Sequence, residues 1–229
     1  MVRPTKKKQI ANIDEAIKEA AWYQIAEKGA SALSLRAIAR ELKITAPAIY
    51  NYFPDRDALV TALIVDAFTS FGDSQLEARD SVNENDHAGR VKAIGIAYRN
   101  WAHTYPQRYQ LIFGTPIPNY QPQAEKIFPS SVRSIHALFS VVDRIRAAGK
   151  LNIGTYSDVN SDYKVQFTMW KENIGELHIS TLSTAFLIWS RIHGIVSLEI
   201  QGNLPPFGDK GDDLYRAELE LITNQFIKE

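Results

Sequence analysis

Residues 34–59, SLRAIARELKITAPAIYNYFPDRDAL, constrain this chain more than any other stretch, because their start and stop signals leave room for two short helices and a tight turn. Ser34 can cap a helix by accepting from an early backbone N–H, and Leu35, Ile38, Ala39 and Leu42 then share one face. Lys43 and Ile44 break that pattern, and Thr45 offers a second cap. Pro47 falls in the first turn of the next helix, where its missing N–H had no intrahelical partner to lose. Ile49 and Phe53 are expected to face inward, while Thr45, Ala46, Pro47 and Ala48 lead the second helix and Tyr50, Asn51 and Tyr52 follow. Pro54 ends it, Asp55 is the next cap, and a long helix is expected from Arg56 to about Arg79, with Leu59, Leu63, Ile64 and Phe68 on its apolar side.

Two short helices in tandem do not bury enough apolar surface to stand alone. The partner is a first helix expected from Ile10 to Lys28, striped by Ile13, Ile17, Ala21 and Ile25 and ended by Gly29. Three helices so arranged read as a DNA-binding helix-turn-helix, whose second helix enters the major groove by its N-terminal end. Small residues at 45–48 allow close approach, and the phenolic and amide groups at 50–52 suit phosphates and base edges. Charge agrees in its distribution. The chain is formally neutral, yet residues 1–59 hold ten Lys or Arg against seven Asp or Glu. The leading MVRPTKKK reads either as solvated charge or as an arm along the DNA backbone.

The same residues resemble the DNA-binding domain of the TetR family of bacterial transcription regulators. That family's pattern has a Ser or Thr cap, Ile-Ala, a Gly-Val-Ser turn, a Tyr, a His-Phe pair and a Lys before Leu. This chain has Ser34, Ile38-Ala39, Lys43-Ile44-Thr45, Tyr50, Tyr52-Phe53, Arg56 and Leu59, and the likeness extends back to Ile17, Ala21, Ile25 and Gly29. Lys43 stands where the family often has Gly, so a left-handed backbone there would cost roughly 1 kcal/mol. Tyr52 replaces the usual His, Arg56 the usual Lys, and Ala30 a usual bulky residue. The DNA-contacting set expected from motif and resemblance together is Ser34, Arg36, Thr45, Ala46, Pro47, Tyr50, Asn51, Tyr52 and Arg56.

Beyond a polar loop at 80–89, the chain is helical in character and rich in aromatics. Helices are expected near 90–105, 107–113, 124–149, 163–171, 178–202 and 212–228, separated by the loops GTPIPNYQP at 114–122 and NIGTYSDVNSD at 152–162. No period-two run appears, so the fold class is all-α: a three-helix head over 1–55 and a helical effector-binding and dimerisation body over 56–229. Trp189, His193 and Gly194 resemble the Trp…His-Gly signature of the WHG-type C-terminal domain found behind some TetR heads, and Tyr98, Trp101, Tyr105, Pro106, Tyr109 and Phe113 fit it loosely. Leu182, Phe186, Trp189 and His193 share one side of their helix, while Leu187, Ile188, Ile195 and Leu198 spread over the others. Such a helix must be buried twice, and with the last helix (Leu214, Ala217, Leu221) it fits a four-helix homodimer interface. Trp101, Tyr105, Phe113, Phe139, Trp170, Phe186 and Trp189 are the candidates to line an effector pocket, with His103 or His193 as polar handle; the plain alternative is that they are core.

Several classes are set aside. The chain has no cysteine, which removes disulfides, thiolate zinc and cysteine nucleophiles and fits a cytoplasmic location. The five His residues are scattered without metal-ligand spacing, there is no Gly-rich phosphate loop, and Glu172 with Glu176 reads as a solvated pair, so neither metal, cofactor nor catalysis is expected. No signal peptide is seen, and no apolar run approaching the ~20 residues of a membrane span. The function expected is a cytoplasmic, homodimeric, sequence-specific DNA-binding regulator, a repressor released from a near-palindromic operator on double-stranded DNA by a small-molecule effector. The alternatives are an effector-independent binder or activator, and a helical ligand-binding protein without DNA affinity.

Overall fold

The computed structural model describes residues 12–153, 175, 178–204 and 211–228, and there the caps read from sequence set the helix ends. Asn12 opens α1 (Ile13–Lys28) by accepting from the Glu15 N–H, so the helix begins three residues later than the periodicity suggested. Gly29, at φ 77°, ends it and leads into a 3₁₀ turn, Ala30–Ala32. Ser34 and Thr45 cap α2 (Leu35–Glu41) and α3 (Ala46–Tyr50), and Asp55 caps α4 (Arg56–Asp80) at 2.7 Å from the Ala58 nitrogen.

The body follows as α5 (His87–Thr104), α6 (Pro106–Phe113), α7 (Ala124–Ala147), α8 (Ile179–Ile200) and α9 (Gly211–Phe226). The all-α class holds among the described residues. The expected helix at 163–171, the 1–11 arm, Trp170, Glu172, Glu176 and most of the 152–162 loop lie outside them. One antiparallel bridge, Leu151 to Ile227, ties the chain end to the exit of α7, where Asn152 N donates to Phe226 O and Lys228 N to Lys150 O.

Two apolar cores share α4. Its first half puts Leu59, Val60, Leu63 and Ile64 with Ile17, Ile25, Ile38 and Ile49 in the head. Its second half puts Ala67 and Phe71 with Tyr98, Trp101, Leu138 and Ile188 in the body. The head is therefore built onto a helix that the body holds rigidly.

Helix α8 corrects one expectation. By length and composition it is apolar enough to cross a bilayer, at mean hydropathy 1.2. It packs instead as a body helix, burying Leu182, Ala185, Ile188, Ile192 and Val196, and its charges are paired: Arg191 with Glu218, and Glu199 with Arg99 at 2.8 Å. Of the side expected to hold Leu182, Phe186, Trp189 and His193, Leu182 is buried and the other three are half-buried.

Candidate nucleic-acid interface

The turn between α2 and α3 closes by two backbone bonds, Lys43 N to Arg40 O at 3.2 Å and Ile44 N to Ala39 O at 3.0 Å. This pairing of the two residues past the cap with the two carbonyls before it demands a left-handed residue between them. Lys43 fills that place at φ 55°, so the strain expected there is present. The bonds fix α3 against α2 and bury Ile49 completely, with Phe53 6% exposed.

What remains outside is the expected recognition surface. Thr45, Ala46, Pro47, Tyr50, Asn51 and Tyr52 are all exposed, and Ala48 is half-buried. Thr45 Oγ1 accepts from the Ala48 N–H at 3.3 Å, which leaves its methyl and one oxygen lone pair at the tip. Arg36 is exposed on α2 beside its half-buried cap Ser34, whose own N–H donates to Gln24 Oε1 at 3.2 Å. Arg40 and Lys43 are exposed at the other end of α2, two cations the contact set did not include. Arg56 has a structural role that sequence did not show. Its Nη2 donates to Ala30 O at 3.0 Å and Ser31 O at 3.4 Å, so it braces the 3₁₀ turn of the head against the start of α4.

The aromatic residues of the body divide into packing and a polar cluster. Trp101 is 5% exposed, donates from Nε1 to Ser70 Oγ at 2.8 Å and packs on Phe71; Phe139 packs on Phe186 at 5.6 Å. Tyr105 is exposed, and His103 pairs with Glu199 at the surface. Phe113, Trp189 and His193 do come together: Trp189 stacks on the imidazole at 4.8 Å and Phe113 meets its edge at 4.9 Å.

His193 Nδ1 lies 2.7 Å from Tyr98 Oη and 3.2 Å from Tyr109 Oη, and its Nε2 lies 3.2 Å from Ser197 Oγ. Tyr109 and Ser197 share a further bond of 2.7 Å. Burial depresses the His193 pKa and raises those of Tyr98 and Tyr109. Burial favours the neutral imidazole, and these distances suit a tautomer with Nδ1 accepting from Tyr98 and Nε2–H donating to Ser197. Sequence reading had Tyr98 and Tyr109 only as part of a loose likeness and missed Ser197, which sits four residues after His193 on one helical face, a signal that was available.

Helix α6 joins this cluster to the head. Tyr109 and Phe113 pack in the body core, whereas Leu111 packs on the head core, as do Ile117 and Tyr120 from the loop that follows. That loop is tied to the base of α4 by Thr61 Oγ1 and Tyr120 Oη at 2.9 Å and by the Gln121 N–H donating to Asp57 Oδ2 at 3.3 Å. Arg108 lies between Trp22 of α1, 5.2 Å from its ring centre, and Tyr105, at 4.7 Å. Between head and body here is a cleft of about 600 Å³.

Comparison with known proteins follows this division. The model of bacterial regulatory proteins, tetR family, matches residues 17–63, and that of the tetracyclin repressor-like C-terminal domain matches residues 91–222. An HTH-type transcriptional regulator of Mycobacterium tuberculosis is 32% identical over 203 residues, covering 88% of this chain and 84% of its own length. The crystal structure of regulatory protein SCO4313 is similar at TM-score 0.74 and 35% identity, over 93% of this chain and 95% of that one. A protein of unknown function from Rhodococcus sp. RHA1 has the same TM-score of 0.74 at 18% identity, over 98% and 100% of the two chains, a likeness of fold.

Proposed function

The chain belongs to the TetR family of bacterial transcriptional regulators, and from that premise we propose that it is a homodimeric repressor that leaves a near-palindromic operator when a small molecule binds its helical body. The observation that carries the DNA half is the head itself: a recognition helix with Ile49 buried and Thr45, Pro47, Tyr50 and Asn51 exposed, seated on α2 by a closed turn. A two-fold dimer would place two such helices about 34 Å apart, one turn of DNA, so the operator reads as an inverted repeat.

The release half is supported by continuity of packing. Phe113, Trp189 and His193 sit together in the body, and α6 carries Phe113 at one point and head-core contacts at another. A ligand that packs differently in the two arrangements shifts the equilibrium by that difference in affinity. Tenfold release needs only about 1.4 kcal/mol of coupling. A regulator of this kind works where the chromosome is, in the cytoplasm.

The test is selection of bound sequences from random duplex DNA by the purified protein at a stated salt concentration. An enriched inverted repeat is the expected result. A folded protein that enriches nothing across a range of salt would instead be a helical ligand-binding protein without DNA affinity. On the selected site, Tyr50→Phe weakens binding evenly across sequences if Tyr50 holds phosphate, whereas replacing Thr45 or Asn51 alters base preference.

A further inference from the structure

The cleft between head and body has walls from both. Ile25, Gly29 and Ala30 close it from the head; Tyr109 and Phe113 of α6 and Ile200 at the end of α8 close it from the body. It stays open because the nearest residues are small. An added Cβ at Gly29 would meet nothing within 4 Å, and Ala30 fills only a methyl's worth of space. Its volume of about 600 Å³ lies within the range of sites for drug-sized molecules.

The chemistry of the walls selects the occupant. Among the described residues lining the cleft, none is Asp, Glu, Lys, Arg or His. The lining itself thus offers an ion no charged side chain to replace lost hydration, which favours a neutral occupant. Apolar surface comes from the residues just named, and hydrogen-bonding groups come from Gln107, Gln110 and Gln201 at the rim.

We propose that this joint cleft is a ligand site for an uncharged, largely apolar organic molecule carrying one or two hydrogen-bonding groups. The inference rests on the effector-controlled reading above and gives it a location: Tyr109 and Phe113, which line the cleft, are also members of the His193 cluster. An occupant touches α1 and α6 at once. It therefore senses the head–body arrangement directly, without a signal having to cross the tightly packed core.

The experiment is calorimetric titration of the full chain with naphthalene-2-methanol as neutral probe, and with 2-naphthoate and 2-naphthylmethylammonium as its charged counterparts. Saturable binding of the alcohol at one per chain is expected, with each ion at least tenfold weaker. Gln110→Trp and Ala30→Phe, each checked for retained helicity, fill the cleft from body and head and should weaken binding at least tenfold. Absence of saturable binding, equal binding of the ions, or full binding by both filled variants would overturn the site. So would binding lost on Phe186→Leu but kept in the filled variants, which would move the ligand into the inner aromatic packing. DNA affinity is measured separately, by anisotropy on the selected operator. If the probe occupies the cleft and DNA affinity does not change, release through this cleft is overturned and the site itself stands.

Discussion

At the scale of single residues, the turn at Lys43 sets local strain against function. A side chain in the left-handed region costs about 1–2 kcal/mol, and glycine removes that cost while adding freedom to the unfolded chain worth about 0.4–1 kcal/mol. Lys43 is exposed and its φ of 55° is fixed by the two bonds that close the turn, so Lys43→Gly should stabilise the protein by about 0.5–1 kcal/mol. In thermal unfolding that corresponds to a rise of about 1–3 °C. A fall in the midpoint would mean that the backbone is not strained there. If the ammonium also touches DNA phosphate, the same variant binds its operator more weakly with a shallower salt dependence. The strain was legible through the resemblance, because Lys43 stands where the family often has Gly. The bracing by Arg56 was not, since it depends on Ala30 and Ser31 being brought alongside by the fold.

At the scale of helices, the pair α4 and α7 shows why element ends were easier to read than element contacts. Ser34, Thr45 and Asp55 announced three starts, and each cap accepts the backbone N–H three residues on. Nothing local announced Gly72, which lies where the backbones of α4 and α7 approach closely: a Cβ there would be 3.0 Å from Ser134 Cα. Retreat of α7 is opposed by Gln75, buried and donating from Nε2 to Ser134 O at 2.9 Å. Gly72→Ala gains about 1 kcal/mol of helix propensity but meets backbone that cannot give way, for which overpacking costs of about 1–3 kcal/mol apply. The expected balance is a net loss of up to about 2 kcal/mol in denaturant unfolding. A stabilised variant would show that the two helices separate more freely than Gln75 allows. Helix α6 was likewise read correctly as a helix, yet its place in both cores was invisible, because Leu111 and Phe113 look alike in sequence and only the fold sends them to different partners.

At the scale of the whole molecule, two partly desolvated histidines and one uncovered apolar face make the remaining predictions. Burial lowers the pKa of His193, and burial with the nearby Arg79 and Arg133 lowers that of His136. Below pH ~6.5 the unfolded chain therefore takes up protons that the folded chain refuses, and stability falls with pH. Denaturant midpoints should decline from pH 7 toward 5, more gently in His193→Gln; a flat profile would contradict the neutral imidazole.

The apolar face follows from α8 and α9 together. Leu187, Gly194 and Leu198 recur on one side of α8 by the 3.6-residue period, and Leu214, Ala217 and Leu221 do so on α9. Leu198 is 42% and Leu221 58% exposed, and an added Cβ at Gly194 would meet nothing within 4 Å, so this surface is smooth and uncovered in a single chain. Arg191, paired with Glu218 and bonded to Gln225 Oε1 at 2.7 Å, holds the two helices side by side and makes their apolar residues one patch. A second copy of the same patch, related by a two-fold axis, would bury it together with the Arg191–Glu218 pair, whose charges are already matched within each chain. Leu198→Glu with Leu221→Glu should then sediment as a folded monomer at concentrations where the unaltered protein, on the proposed reading, is a dimer, since neither side chain is part of the chain's own core. The monomer should also lose affinity for an inverted repeat far more than for a single half-site, because only the repeat rewards linkage of two heads. Equal losses on both would place the damage in the head rather than in the interface.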